Sequence, residues 1–519
     1  MTPGGPARWV VLSSGLALFA LIVPIPPCAA GAPVRGLTEG LALARAYELV
    51  YDADFAAADA ELTRACGPAP AQACDVIGTA ALWWRIYFDP DDRSRDQAFL
   101  SRITRVIERG EQWVAREPER AEAWFYLGAA YGSRVQYHAQ RNEFLAAARD
   151  GKRIKVSLEQ ALVLDPALHD ANVGVGLYQY YADMAPAVLK LLRWLMNLPG
   201  GDKVRGLQRI FRTRDQGLLL RSEAAYQLHL IHLWYEHQPD RALALLDELH
   251  ARYPHNPLFL LNIAQVHDVY RSDRPAALAA YRRLADGART GQLREPELAE
   301  TWGRLGTAAQ LDALAETDRA LDELRIVVAA RPRAPYGAIA QAQLDMGRAL
   351  DRLGLRTEAR AAYAAAQTSA PPDDPRHVRS RAREGLSRTP DRTTSEAFRL
   401  SIEGWRAFER GDLAAASPLL DRAVLLRPDD GVHRYRRGRL AAARQDRPRA
   451  IADFERALQV RPSPPAPLVA ASFLECGRLY EAQGDRTRAA SLYGSASRVR
   501  GADPSTREAA ELALARVKQ

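Results

Sequence analysis

The chain has 519 residues, a formal net charge of +8 and a hydrophobic content of 47%. That apolar fraction excludes a disordered chain, and the length exceeds what one hydrophobic core grows to. The charge excess is Arg interleaved with Asp and Glu, with no basic block carrying aromatics, so no nucleic acid is expected as a partner.

Residues 1–30 have the form of a secretory signal. Arg8 supplies the positive start, Trp9–Ile25 the apolar run, and Cys28-Ala29-Ala30 the small residues of a cleavage site. Ser13, Ser14 and Pro24 interrupt the run, which argues against a retained membrane anchor. A lipoprotein would use Cys28 instead, although Pro26-Pro27 fits such a site poorly. The expected location is exported, periplasmic or secreted.

Thr38–Leu49 and Phe55–Ala65 are expected to form a first helix pair. Cys66 and Cys74 flank a short loop, Gly67–Ala71. Two readings are open: a disulfide formed in an oxidising compartment, or two small buried residues. Cys74–Phe88, with Trp83, Trp84 and Tyr87, precedes the turn Asp89-Pro90-Asp91-Asp92. Gln97–Arg116 follows it.

The clearest pattern is Ala121–Gly132, AEAWFYLGAAYG. Trp124, Leu127, Gly128 and Tyr131 are spaced i, i+3, i+4, i+7, one stripe of a helix. Gly128 costs about 1 kcal/mol of helix propensity, which points to close approach by a second helix. This unit closes at Ala161 and Pro166 and is about 14 residues longer than a 34-residue repeat. The excess, with Tyr137, His138 and Arg149–Lys155, is expected to lengthen both helices.

A fourth unit starts at Asp170, with Gly176 at the small position, and resumes at Gly200-Gly201-Asp202 with Gly206. Between them lies the insertion Met184–Pro199. Lys190, Arg193 and Asn197 share one helical face there. Val188, Leu191, Leu192, Leu195 and Met196 lie opposite, with Trp194 at the margin. Such a helix either lies at a membrane interface or packs its apolar face on a neighbouring repeat. The pattern then continues through Tyr226, Leu246 and Pro254. It loosens around Tyr281, Leu284, Trp302 and Gly306, and is regular again from Gly347 to Pro371. Residues 371–393 carry four Pro and little apolar periodicity and are expected to be a linker. Three more units follow, on Gly404, Gly438 and Gly477. A last helix opens on the capping box Ser505–Glu508.

The large, small and aromatic positions recurring at this spacing resemble the tetratricopeptide repeat, over about nine-tenths of the mature chain in about eleven units. Arg149 through Gly206 is also similar to secreted bacterial members that lack a catalytic domain. The resemblance implies an all-α, right-handed superhelical solenoid of antiparallel helix pairs. It divides the chain into a signal (1–30), an N-terminal array with insertions (31–370), a linker (371–393) and a C-terminal module with a capping helix (394–519). It also implies a protein-binding scaffold whose first helices line a concave groove. On this register the groove residues are Phe125, Tyr126, Tyr180, Tyr181, Gln227, Ile231, Trp234 and Tyr235. The alternative is that the inserted helices of the third and fourth units cover these rings.

No motif for catalysis was found. Leu198–Lys203 has glycines and a lysine without the spacing of a phosphate loop, and neither G-x-S-x-G nor HExxH occurs. His229, His232 and Glu236 share one helix face and could ligate a metal, but His229 occupies a position that packs on the partner helix. The expectation is no catalytic residue, no metal and no cofactor. Two functions from different classes remain. One is a cell-envelope scaffold binding a protein or peptide in the groove. The other is a membrane-surface or assembly component docking through Lys190, Leu191, Arg193, Trp194 and Leu195. Peptide mapping of exported protein without reductant is expected to recover Cys66 and Cys74 in one linked fragment. Reduction should then lower stability by about 2–3 kcal/mol in denaturant unfolding.

Overall fold

The computed structural model describes residues 35–184 and 200–519, and these are helical with no strand among them. Consecutive helices pair across short turns. Gly40–Tyr51 pairs with Phe55–Ala65, Ala71–Phe88 with Asp96–Arg116, and Ala121–Gln140 with Phe144–Leu164. The series runs on to Ala466–Ala482 with Arg486–Ser497, and Pro504–Lys518 covers the end. The third pair is long, at 20 and 21 residues against 14 and 14 in the pair Arg221–Trp234 and Pro239–Arg252, so its extra sequence extends both helices.

One turn recurs because one piece of chemistry recurs. The last residue before the second helix is an Asp that accepts its own helix's N–H three residues on, as in Asp54→Ala57, Asp273→Ala276, Asp412→Ala415 and Asp485→Arg488. This satisfies a donor that the helix start leaves open. The preceding residue is left-handed. It is Gly at 411 and 484, but Ala53, Ser272 and Gln445 take the same conformation despite their side chains.

Within a pair, the small position of the first helix receives a large side chain from the second, Leu158 at Gly128 and Leu420 at Gly404, and a ring in other pairs. A Cβ on Gly347 would stand 2.5 Å from the Tyr363 ring, and one on Gly477 2.5 Å from Tyr493. The fourth pair is tighter still, because Gly176 and Gly206 bring the two backbones into contact.

Residues 371–393 are not a bare linker. Val378–Ser387 is a helix whose Val378, Ala382 and Gly385 are buried. Arg356 donates to the carbonyls of Gly385, Leu386 and Arg388, pinning the end of that helix. Its three inward residues are too few to mask the Pro-rich composition around them, which is why the segment read as a joint.

The array curls until its start meets its middle. Tyr51 packs on Trp84 at 4.7 Å and Tyr253 at 5.4 Å between ring centroids. Its carbonyl accepts Asn256 Nδ2 at 2.6 Å. Further on, Tyr336 N–H donates to Asp89 Oδ2 at 2.7 Å, and Arg376 pairs with Asp91 at 2.9 Å. One apolar cluster therefore runs from Leu43 to Leu298, whereas the later clusters join only neighbouring pairs.

Burial pushes the Asp89 carboxyl up from its ordinary 3.8 to about 6, partly opposed by the Tyr336 N–H. A carboxyl raised on folding stabilises in acid, and that contribution is lost as pH rises through about 6. Asp89→Asn is therefore expected to melt above the parent protein at pH 8, with the gap closing below about pH 5 in calorimetric scans.

Candidate functional site

Most of the expected groove belongs to the interior. Phe125, Tyr126 and Tyr180 are buried, as is Gln227. Ile231 is buried as well, and these five are corrected from groove to core. Tyr126 stacks on Trp113 at 6.4 Å and meets Phe125 edge-on at 5.1 Å. Tyr180 donates its hydroxyl to Glu236. Gln227 donates to Glu223 at 2.8 Å, and Glu223 also accepts Tyr51 Oη at 2.7 Å, Tyr47 Oη at 3.2 Å and Gln136 Nε2 at 2.8 Å. The inner face at Glu223 is thus taken by the first helix, Gly40–Tyr51, and by the lengthened helix Ala121–Gln140. Sequence reasoning missed Glu223, Tyr47 and Tyr51. A Glu in the first turn of Arg221–Trp234 reads as ordinary helix chemistry, and the residues that find it lie 87 to 176 positions away.

Two of the proposed residues stay outside. Trp234 is 51% exposed and Tyr235 38% exposed, at the end of Arg221–Trp234. Tyr181 is half-buried beside Tyr235, with ring centroids 5.4 Å apart. Lys203 Nζ pairs with Glu236 at 2.8 Å and stands over the Tyr180 ring. Burial pushes the Glu236 carboxyl up, but the hydrogen bonds from Lys203 and Tyr180 more than offset it and leave it below the usual range. The next unit extends this edge. After Pro257–Gln265 the backbone widens into a π-turn, Val266–Tyr270, which exposes Val269 and Tyr270. The Arg271–Asp240 ion pair, 3.0 Å, holds the two turns side by side. π-turns of this kind are frequent at functional sites.

His229 and His232 are buried side chains of the array. His229 lies 4.4 Å from the Tyr226 ring, and burial holds its imidazole down at about 3. Among the described residues no group of three His, Cys, Asp or Glu is arranged to hold a metal. Cys66 and Cys74 are joined by a disulfide between Phe55–Ala65 and Ala71–Phe88. Lys190, Leu191, Arg193, Trp194 and Leu195 lie outside the described residues.

Helix pairs in register, with a small position of the first helix closed onto a large side chain or the backbone of its neighbour, decide the architecture. The fold is a tetratricopeptide-like helical array. No protein-family model matches the chain, and no curated protein matches it. Three solved structures are similar to it, two of them tetratricopeptide repeat structures by name. One is a tetratricopeptide repeat protein from Parabacteroides merdae, with 18% identity over 57% of this chain and 99% of that one, and a TM-score of 0.27. A second is the yeast Sti1 TPR2AB domain in complex with pHSP90, with 13% identity, 58% and 99% coverage, and a TM-score of 0.22. The third is the APC/C hetero-tetramer Cut9–Hcn1, with 15% identity, 90% and 81% coverage, and a TM-score of 0.25. With scores this low, the helix pairs themselves carry the resemblance, and the superpositions add no argument.

Burial predicts how the array responds to truncation at its aromatics. Phe125→Ala is expected to cost about 3–5 kcal/mol in urea unfolding, as for a large core side chain. Trp234→Ala should cost less than about 1 kcal/mol, because its side chain is exposed, and Tyr235→Ala, whose ring rests on Tyr180 and Tyr181, less than the Phe125 change.

Proposed function

We propose that the chain is a non-enzymatic scaffold of the bacterial cell envelope that engages a protein or peptide partner along the edge formed by Trp234, Tyr235, Val269 and Tyr270. The observation that carries this reading is the exposure of Trp234 and Tyr235 at the end of a helix whose other face is core. A folded array has no packing use for large rings left in water, and Trp and Tyr are the residues that anchor interfaces. Each offers a rigid apolar body and a polar tip, so little conformational entropy is lost when a partner covers it. The adjoining Lys203–Glu236 pair supplies charge of both signs at the rim.

The envelope location rests on two features. Residues 1–30 have the form of an export signal. The Cys66–Cys74 bridge belongs in an oxidising compartment. The partner contact is expected at the edge rather than deep in the curve, where Phe125, Tyr126, Tyr180 and Gln227 already have occupants.

A photo-crosslinking side chain at position 234 tests this. In envelope preparations it is expected to trap one predominant protein, and a Tyr235→Ala, Tyr270→Ala background should reduce that product at least tenfold with the melting temperature unchanged. Equal trapping from a crosslinker placed on the exposed Val163 of the outer helix Phe144–Leu164 would withdraw the edge as the site.

A further inference from the structure

Two kinds of contact hold the helices from Arg392–Glu409 to Pro504–Lys518. The first is with the preceding pair and is apolar. Ile402 and Phe398 share a cluster with Leu344, Leu350 and Tyr363. Ser395 Oγ adds a hydrogen bond to Asp351 O at 3.0 Å.

The second contact reaches residues 88 or more positions earlier and is polar. Arg406 donates to both carboxylate oxygens of Asp318 at 2.7 Å and also pairs with Glu316. Arg319 returns the contact to Glu409 at 3.0 Å. Arg436, 2% exposed, donates to Ala315 O at 2.6 Å and Ser401 Oγ at 3.1 Å. Its nearest carboxylate there is Glu316, at 3.8 Å. At the far end, Gly501 lies against the Ser272 carbonyl, close enough that a Cβ would stand 2.9 Å from it. One apolar residue links the two sides, since Leu321, on the helix that carries Asp318, shares a cluster with Ile402; among the described residues no apolar cluster joins 260–334 with 404–519.

The contact also holds charges at a cost. Burial pulls the Arg436 guanidinium from its ordinary 12.5 down to about 10, and Glu316 only partly restores it. Burial and the neighbouring Asp273 push the Asp503 carboxyl up. Parting the two surfaces beyond Ile402 would rehydrate both groups, and no apolar cluster spans them there. Few apolar contacts and charges held at a cost are features of the less stable parts of a fold.

We propose that Arg406, Arg436 and Arg319 with Glu316, Asp318 and Glu409 form an ionic clasp. When it opens, the C-terminal helices swing away from the N-terminal array about the apolar join at Arg392–Glu409. In the closed state the turn Ala315–Asp318 occupies the inner face of Arg392–Glu409 and Gly431–Ala443, so the clasp covers that face with the chain's own residues. Opening uncovers Ser401 and Arg436.

Energy transfer between dyes on Val269→Cys and Arg500→Cys measures the gap directly, since both positions are exposed and Cys476 is buried. Raising salt from about 0.05 M to about 1 M is expected to lower transfer efficiency about twofold, because screening weakens the ion pairs and leaves the apolar join intact. Arg406→Gln at low salt should match the high-salt value, with helicity and melting temperature close to the parent. Arg304→Gln, which breaks pairs to Glu300 and Glu323 within a single helix pair, should leave efficiency unchanged. Efficiency that is constant with salt and in Arg406→Gln overturns the clasp. So does a salt response that Arg406→Gln does not reproduce. If Arg406→Gln does not fold, Glu316→Gln with Asp318→Asn replaces it under the same criteria.

Discussion

Glu223 holds the first helix of the array inside its own curve. A helix pair buries one face of each helix and leaves another open, so a solenoid must end on caps or close on itself. Here the first helix supplies the closure, with Tyr51 edge-on to Trp84, tilted against Tyr253 and stacked on Phe259. Buried hydroxyls are costly unless paired, and Glu223 accepts both Tyr47 and Tyr51. Gln136 and Gln227 complete its shell. Burial and the Glu223 charge push both phenols well above their ordinary range, so they remain donors at any physiological pH. A satisfied polar network of this kind fixes one arrangement of the aromatic core around it.

The two halves differ as a consequence. From Leu43 to Leu298 one apolar cluster is continuous through the array, with a small satellite around Leu284 and Leu293. Beyond Gly404 the clusters are small and join adjacent pairs only. The N-terminal half should therefore unfold as one unit, whereas the C-terminal half is closer to a one-dimensional stack with nearest-neighbour coupling. The cross-turn contacts follow the same division, with aromatic rings meeting at Tyr51 and ion pairs at Arg406. Motion concentrates where contacts are polar and hydrated on parting, which places it at the second of these.

Surface chemistry follows from what the closure leaves over. The curve that would hold a peptide in an open array is filled near Glu223 by the chain itself. What remains is an edge, where first helices end at Trp234 and at the π-turn Val266–Tyr270. The rings there are positioned by rigid helices and backed by buried Tyr180, so they are presented in one geometry without a ligand. Preorganisation of that kind favours binding, because little ordering is left to be done on contact.

Helix pairs were legible in the sequence because their cause is local. A small residue at Gly128, Gly347 or Gly477 and a large one on the next helix are separated by a few turns of chain, and the 3.6-residue period exposes them. Asp caps after a left-handed residue, as at Gly411-Asp412 and Gly484-Asp485, have an equally local cause. The helix Val378–Ser387 left a faint local trace in Val378, Ala382 and Gly385, spaced i, i+4, i+7, but Pro and charge around it hid the stripe. The fate of the groove left none. Whether Phe125 or Trp234 meets water depends on how far the array curves, and curvature is the sum of many small rotations between pairs. Contacts such as Tyr51 with Glu223, or Arg436 with Ala315, arise only after that sum closes the turn. Periodicity reports which face of a helix is apolar; only the tertiary structure decides what that face meets.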